Sequence, residues 1–223
     1  PENYTLLNPN MGNAQLPTHI DFDLVLSQNK FGQFQKAHEL AKLLHLPLVS
    51  LEHTLPVPEW GDNIMNAVQN MRGDVNIFIS AFSIGEWGWE DKQDTAVITH
   101  GIDTDLFCTT DKERSHEILS VVNDWVNRDW CCGFSIWQRV IDGLPYKVVG
   151  DTPGLSEPAA STEELVATYQ NSRIFLNTST ISPVPTALME AMACGCAVVS
   201  TDTCMIPEVI EHGVNGFITN DEN

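Results

Sequence analysis

Between Ser182 and Gly195 the chain reads SPVPTALMEAMACG, and its residue types suit the capture of an anion together with a diol. The apolar run RIFLN precedes it, and the polar loop TSTISPVP leads into a helix-forming stretch. Pro185 suits the first turn of that helix, where a missing N–H costs nothing. The helix TALMEAMAC ends at Gly195, a residue suited to a left-handed C-cap. At such a helix start the backbone amides of Thr186, Ala187 and Leu188 have no intrahelical acceptor, and the helix dipole strengthens their pull on an anion. Glu190 lies four residues beyond Thr186, on the same helix face. A carboxylate one turn past a phosphate site cannot hold that phosphate. It can accept hydrogen bonds from the two hydroxyls of an attached ribose, so the spacing suits a nucleoside diphosphate. The same spacing also fits an ordinary amphipathic helix with one solvated glutamate.

A diphosphate calls for a cation as well. After residue 114 the lysines and arginines are Arg128, Arg139, Lys147 and Arg173. Arg139 falls in a helical pattern, Lys147 inside a strand and Arg173 before one. Arg128 lies in the loop NRDWCCG after the apolar run EILSVV, at the carboxyl end of a strand. The alternative there is a surface salt bridge to Asp124 or Asp129. His53 ends the run LVSLEH, beside Glu52. By itself a histidine at a strand end can move a proton or simply cap a loop. The loop GDTPG from Gly150 to Gly154 follows the strand YKVVG and is positioned to approach a base. Trp125, Trp130 and Trp137 read as core or cover before they read as stacking platforms. Asp21 and Asp23 in IDFDL stand at the entry to a strand and there is no HExxH, so no metal is assigned.

The elements that must position these groups are short apolar strands alternating with helical patterns. Strands are expected at 23–27, 48–51, 75–80 and 96–99, with helices at 32–44 and 63–71, the latter with Asp62 as its N-cap. HGIDTDLF, residues 100–107, is turn chemistry and a domain boundary, with His100 and Gly101 as the hinge. A second series follows, with strands at 117–122, 146–150, 173–177, 197–200 and 217–219. Helices fall between them at 134–141, 162–170, 186–194 and 206–211, and Ser161 or Thr162 is the N-cap of the 162–170 helix. Apolar strands alternating with helices indicate parallel sheets covered on both faces, with ligands at the carboxyl ends of the strands. The expected organisation is two βα halves, 1–107 and 108–223.

The net charge of -19 and the 43% hydrophobic content set the class. Such a chain packs a core and repels nucleic acid and anionic lipid, whose binders carry basic faces. No apolar run is long enough to span a bilayer, and the opening PENYTLLNPNMGN lacks the pattern of a signal peptide. The six cysteines, Cys108, Cys131, Cys132, Cys194, Cys196 and Cys204, form neither a disulfide framework nor a zinc spacing. Buried free thiols in a reducing cytoplasm are expected.

EAMACGCAVVSTD, followed by Glu208 and HGVNGFI, resembles the C-terminal signature of family 4 (group 1) glycosyltransferases of the GT-B fold. That signature runs Glu-x7-Glu, then Ala-Met-Ala-Cys-Gly, an apolar strand, a further Glu and a Gly-x-x-Gly turn. HGIDTDLF resembles the family's interdomain segment, and DLVLSQ with LPLVSLEH the late part of its N-terminal domain. The resemblance implies an α/β protein of two Rossmann-type halves with parallel sheets, shortened at both ends, the N-terminal half truncated. It implies transfer of a sugar from a nucleoside diphosphate-sugar, UDP- or GDP-linked, to a glycan, lipid or protein acceptor, with retention and without a metal. The donor is a substrate, so no cofactor is implied. Glu190 then holds the donor ribose, and Pro185, Thr186, Ala187 and Leu188 meet the diphosphate. Arg128 is the counterpart of a basic residue near the family's Lys-Gly pair, and His53 stands near the transferred sugar. Ser182 occupies the position of the motif's first Glu, which in the family touches the donor sugar. That departure keeps a non-catalytic nucleotide-sugar-binding module and a GT-B epimerase as alternatives. Strands missing from the first half would leave a sheet edge open to pairing with a second copy.

Overall fold

Runs of β-branched and aliphatic residues form the strands, and amphipathic stretches between them form the crossovers that parallel pairing requires. The computed structural model describes residues 21–28, 33–57, 59–90, 93–182 and 185–221. The stretch 1–13 read above and Pro183 and Val184 lie outside the described residues. In chain order the elements are β1 (Val25–Ser27), α1 (Gln33–Leu44), β2 (Leu48–Glu52), α2 (Asp62–Gln69), β3 (Val75–Phe78), α3 (Ala81–Glu86) and β4 (Thr95–Val97). After the connecting segment come β5 (Ser115–Val121), α4 (Asp129–Cys132), α5 (Phe134–Val140), β6 (Tyr146–Val149), α6 (Thr162–Asn171) and β7 (Ser172–Asn177). The chain closes with α7 (Thr186–Ala193), β8 (Ala197–Ser200), α8 (Ile206–Val209) and β9 (Phe217–Ile218). The first sheet runs β1-β2-β3-β4 and the second β6-β5-β7-β8-β9, with every pairing parallel.

Register assigns the faces. In the second sheet Leu119 pairs with Phe175 and Phe175 with Val198, so all three share the face covered by α6 and α7. Leu176 pairs with Val199 on the opposite face, against Trp125, Cys131, Cys132 and Trp137. Both faces of this sheet are therefore covered, as a parallel sheet demands. The first sheet corrects that expectation. Leu26 pairs with Val49 and Val49 with Val75, and on this face Leu26 keeps 44% and Val75 43% of their surface exposed among the described residues. Its other face, with Ser50, Glu52 and Phe78, is buried.

Three local expectations change. Asp62 is the first residue of α2 rather than its cap; Gly61 holds the N-cap position without a side-chain bond, and the Asp62 carboxylate stands in the first turn, where the dipole favours it. Pro185 is likewise the N-cap of α7 rather than a first-turn residue, and its carbonyl accepts from the Met189 amide. The short helices α3 and α4 have too few turns to show a helical period in the sequence. Ser161, by contrast, caps α6 as expected, accepting from the Glu164 amide.

α7 ends in a paired-turn cap. The Gly195 amide donates to Met192 O and the Cys196 amide to Ala191 O, with Gly195 at φ 80°. Arg114 closes the same end by donating to Cys194 O at 2.8 Å and Ser172 O at 2.9 Å. A Cβ on Gly195 would lie 2.9 Å from Thr109 and 3.1 Å from the Arg114 guanidinium. Gly195→Ala is expected to destabilise the chain by about 1–3 kcal/mol, read as a lower urea midpoint at unchanged m.

Candidate nucleotide site

The turn that carries the expected chemistry is seated on the junction of α4 and α5. Gly133 joins these helices at φ 66°, and a Cβ there would fall 1.9 Å from Thr178 O, so only glycine lets the loop after β7 come this close. Thr178 Oγ1 donates to Gly133 O at 2.9 Å. The amides of Thr180 and Ile181 both donate to Cys131 O, and Thr180 Oγ1 donates to Trp130 O. From the other side Thr203 Oγ1 donates to Thr180 O, and the Ser182 amide donates to Cys204 Sγ at 3.4 Å. Loops from three strand ends thus hold the approach to α7.

At the start of α7 the amides of Thr186, Ala187 and Leu188 have no partner among the described residues. Thr186 is exposed, and the Leu188 side chain is buried in the core, so only its amide is available to a ligand. Glu190 is half-buried, and its Oε2 accepts from the Tyr169 hydroxyl at 2.9 Å. The physical reason is Tyr169 itself, a wholly buried phenol that needs an acceptor. Burial pushes the Glu190 carboxyl above its ordinary range, and the Tyr169 bond pulls it partly back. Tyr169 is pushed up too, by burial first and then by the Glu190 charge.

The other expected residues divide into those at the ends of the second sheet and those elsewhere. Arg128 is exposed at the carboxyl end of β5, with Nη1 3.4 Å from Asn123 O. It makes no ion pair to Asp124 or Asp129 among the described residues. Asp129 instead accepts from the Ser135 hydroxyl and amide, which hold its carboxyl below the usual range. Gly150 takes φ 135°, where a Cβ would strike Val122 O at 2.1 Å. With Asn123, Ser161 and Thr162 it lines a cavity of about 380 Å³ between the ends of β5 and β6 and the start of α6. Ser182 is 8% exposed in the approach to α7. His53 is half-exposed after β2 in the first sheet, and His100 and Gly101 are exposed in the connecting segment. Trp125 and Trp137 are core and cannot stack on a ligand, whereas Trp130 is 54% exposed. Four of the six cysteines are buried free thiols, but Cys108 is exposed and Cys204 half-buried. Asp21 and Asp23 are exposed, and among the described residues no group of His, Cys, Asp and Glu is arranged to hold a metal. A cavity of about 590 Å³ opens on the α5 side of β7 and β8, lined by Leu176, Val199 and Thr201, and none of the expected site residues lines it.

Sequence reasoning missed Tyr169, Thr178 and Cys204. A lone tyrosine on the apolar side of α6 was the available signal for the first; the other two act through loop contacts that no spacing encodes. Tyr169→Phe is expected to cost about 1 kcal/mol of stability and to drive the Glu190 carboxyl further up, measured by urea unfolding and by carboxyl-carbon NMR titration.

No curated protein matches the chain. Among solved structures it is similar to HepE of Anabaena in complex with UDP, at 19% identity and a TM-score of 0.75, covering 89% of this chain and 65% of that one. A sucrose-phosphate synthase from Thermosynechococcus elongatus aligns at 14% identity and a TM-score of 0.75, covering 91% and 62%. A glycosyltransferase from Rickettsia africae aligns at 13% identity and a TM-score of 0.66, covering 90% and 63%. The chain therefore spans slightly less than two thirds of the length of these proteins. It shares the GT-B fold with these structures, and its residues 158–223 match the family described as Glycosyl transferases group 1.

Proposed function

We propose that the chain moves a sugar from a nucleoside diphosphate donor to a glycan, lipid or protein acceptor, with retention of anomeric configuration and without a bound metal. The observation that carries this reading is the start of α7, where three consecutive amides lack partners among the described residues, one turn before a carboxylate whose second oxygen has none there either. The amides of Thr186, Ala187 and Leu188 and the Arg128 guanidinium stabilise the charge that grows on the departing diphosphate. Pro185 presents those amides. Glu190 Oε1 accepts from the ribose, and the cavity beside Gly150 receives the base. His53 and Ser182 act at the sugar. HepE, which shares the fold, forms complexes with UDP and with UDP-glucose, and this supports a UDP-linked donor here.

In this reading residues 1–107 are the acceptor-side half and 108–223 the donor half, with His100 and Gly101 as the hinge. The free thiols suit a reducing cytoplasm. No helix of the described residues is long and apolar enough to cross a membrane. Among the described residues β1 stands at one edge of the first sheet, and pairing with a second copy is part of this reading.

A second reading rests on Ser182. A buried hydroxyl standing where the family has a carboxylate favours a module that binds nucleotide-sugar without turning it over. UDP-glucose hydrolysis separates the two. An enzyme releases UDP from the wild type and loses that activity in Glu190→Ala, a binding module releases none, and isomerised donor without acceptor identifies an epimerase.

The raised Glu190 carboxyl sets a pH dependence. Its proton returns at a higher pH than the ordinary 4.5, so the ribose loses its acceptor as pH falls into a window that opens above that value. UDP affinity of the wild type is expected to fall through that window relative to Glu190→Gln, which has no proton to gain. Parallel pH profiles for the two proteins, measured by calorimetry, would remove Glu190 from the site.

A further inference from the structure

Glu208 links residues whose sheets are otherwise separate. It sits in α8, which Ile206 and Ile210 pin into the core of the second sheet. Facing it is α3, fixed in the first half by the reciprocal Ser80–Ser83 capping box and by buried Ile79 and Trp87. Glu208 Oε2 accepts from the Ala81 amide at 3.0 Å and Oε1 from the Phe82 amide at 2.7 Å. These are the first two amides of α3, which no carbonyl of the same helix can reach. Among the described residues they are the hydrogen bonds that join 21–97 to 108–221, and no buried apolar cluster draws on both ranges.

We propose that Glu208 is a positioning residue whose carboxylate clasps α3 and sets how the first half sits against the donor turn of the second. Both ends of the clasp are anchored in separate cores, so the two charge-assisted bonds fix an orientation that apolar packing leaves loose. The proposal rests on the donor reading above for its effect on function, but the clasp itself is independent of any ligand. A nucleotide held by α7 touches the second half alone. A sugar attached to it reaches toward the first half and feels the clasp.

The test uses the whole chain, as wild type, Glu208→Ala and Glu208→Gln. Amide exchange at Ala81 and Phe82 is followed by NMR, overall size by small-angle X-ray scattering, and affinity for UDP and UDP-glucose by calorimetry. In Glu208→Ala both amides are expected to exchange about tenfold faster or more, and the radius of gyration is expected to rise. UDP affinity should stay within about twofold while UDP-glucose affinity falls about tenfold. Glu208→Gln keeps one acceptor oxygen and should give intermediate exchange. Unchanged exchange and size in both variants would overturn the clasp, and equal weakening of UDP and UDP-glucose would overturn its role in positioning. A wild type that binds neither nucleotide, yet expands in Glu208→Ala, would remove the donor reading and leave the clasp standing.

Discussion

The close approach of the 178–182 loop to the α4–α5 junction is the constraint on which the rest of the site depends. It requires Gly133 in the left-handed region with its Cα against Thr178 O, and it aims the Cys131 carbonyl at two successive amides of that loop. Remove that contact and the 178–182 loop loses its anchor on the α4–α5 junction. The Schellman-type cap and Arg114 hold the far end of α7 in the same way. The helix is gripped at its far end, and among the described residues its first amides have no acceptor, as at any helix start without a side-chain cap.

Two demands meet on the Glu190 side chain. One oxygen satisfies a buried phenol, and in the proposed reading the other meets the donor ribose. Burial makes the carboxylate costlier to ionise, and Tyr169 offsets part of that cost. A side chain held by a rigid tyrosine loses less freedom on meeting a ligand than a solvated glutamate would, so the core contact also prepares the site.

The strands, the two parallel sheets and the start of α7 were legible in the sequence because apolar runs, glycine punctuation and helix caps are local signals. The run AVVS and the Gly195 cap show this well. Partial cover of the first sheet was not legible, since the composition of Leu26, Val49 and Val75 is that of a strand buried on both sides. Nor was the Tyr169 bond to Glu190, which joins residues 21 apart through the packing of two helices. Pro185 was expected in the first turn and is the N-cap, one position earlier, a difference that composition alone does not encode. Arg128 was placed correctly at a strand end because loop position follows from strand order, while its freedom from Asp124 and Asp129 depends on how Ser135 and Asn127 occupy those carboxylates.

Calorimetric titration of UDP into the wild type and into Glu190→Ala bears most directly on whether the start of α7 is a nucleotide site. Saturable one-to-one binding to the wild type, weakened at least about tenfold by the substitution, is the expected result. Equal affinity in the two proteins, or no binding of UDP to the wild type, would contradict it.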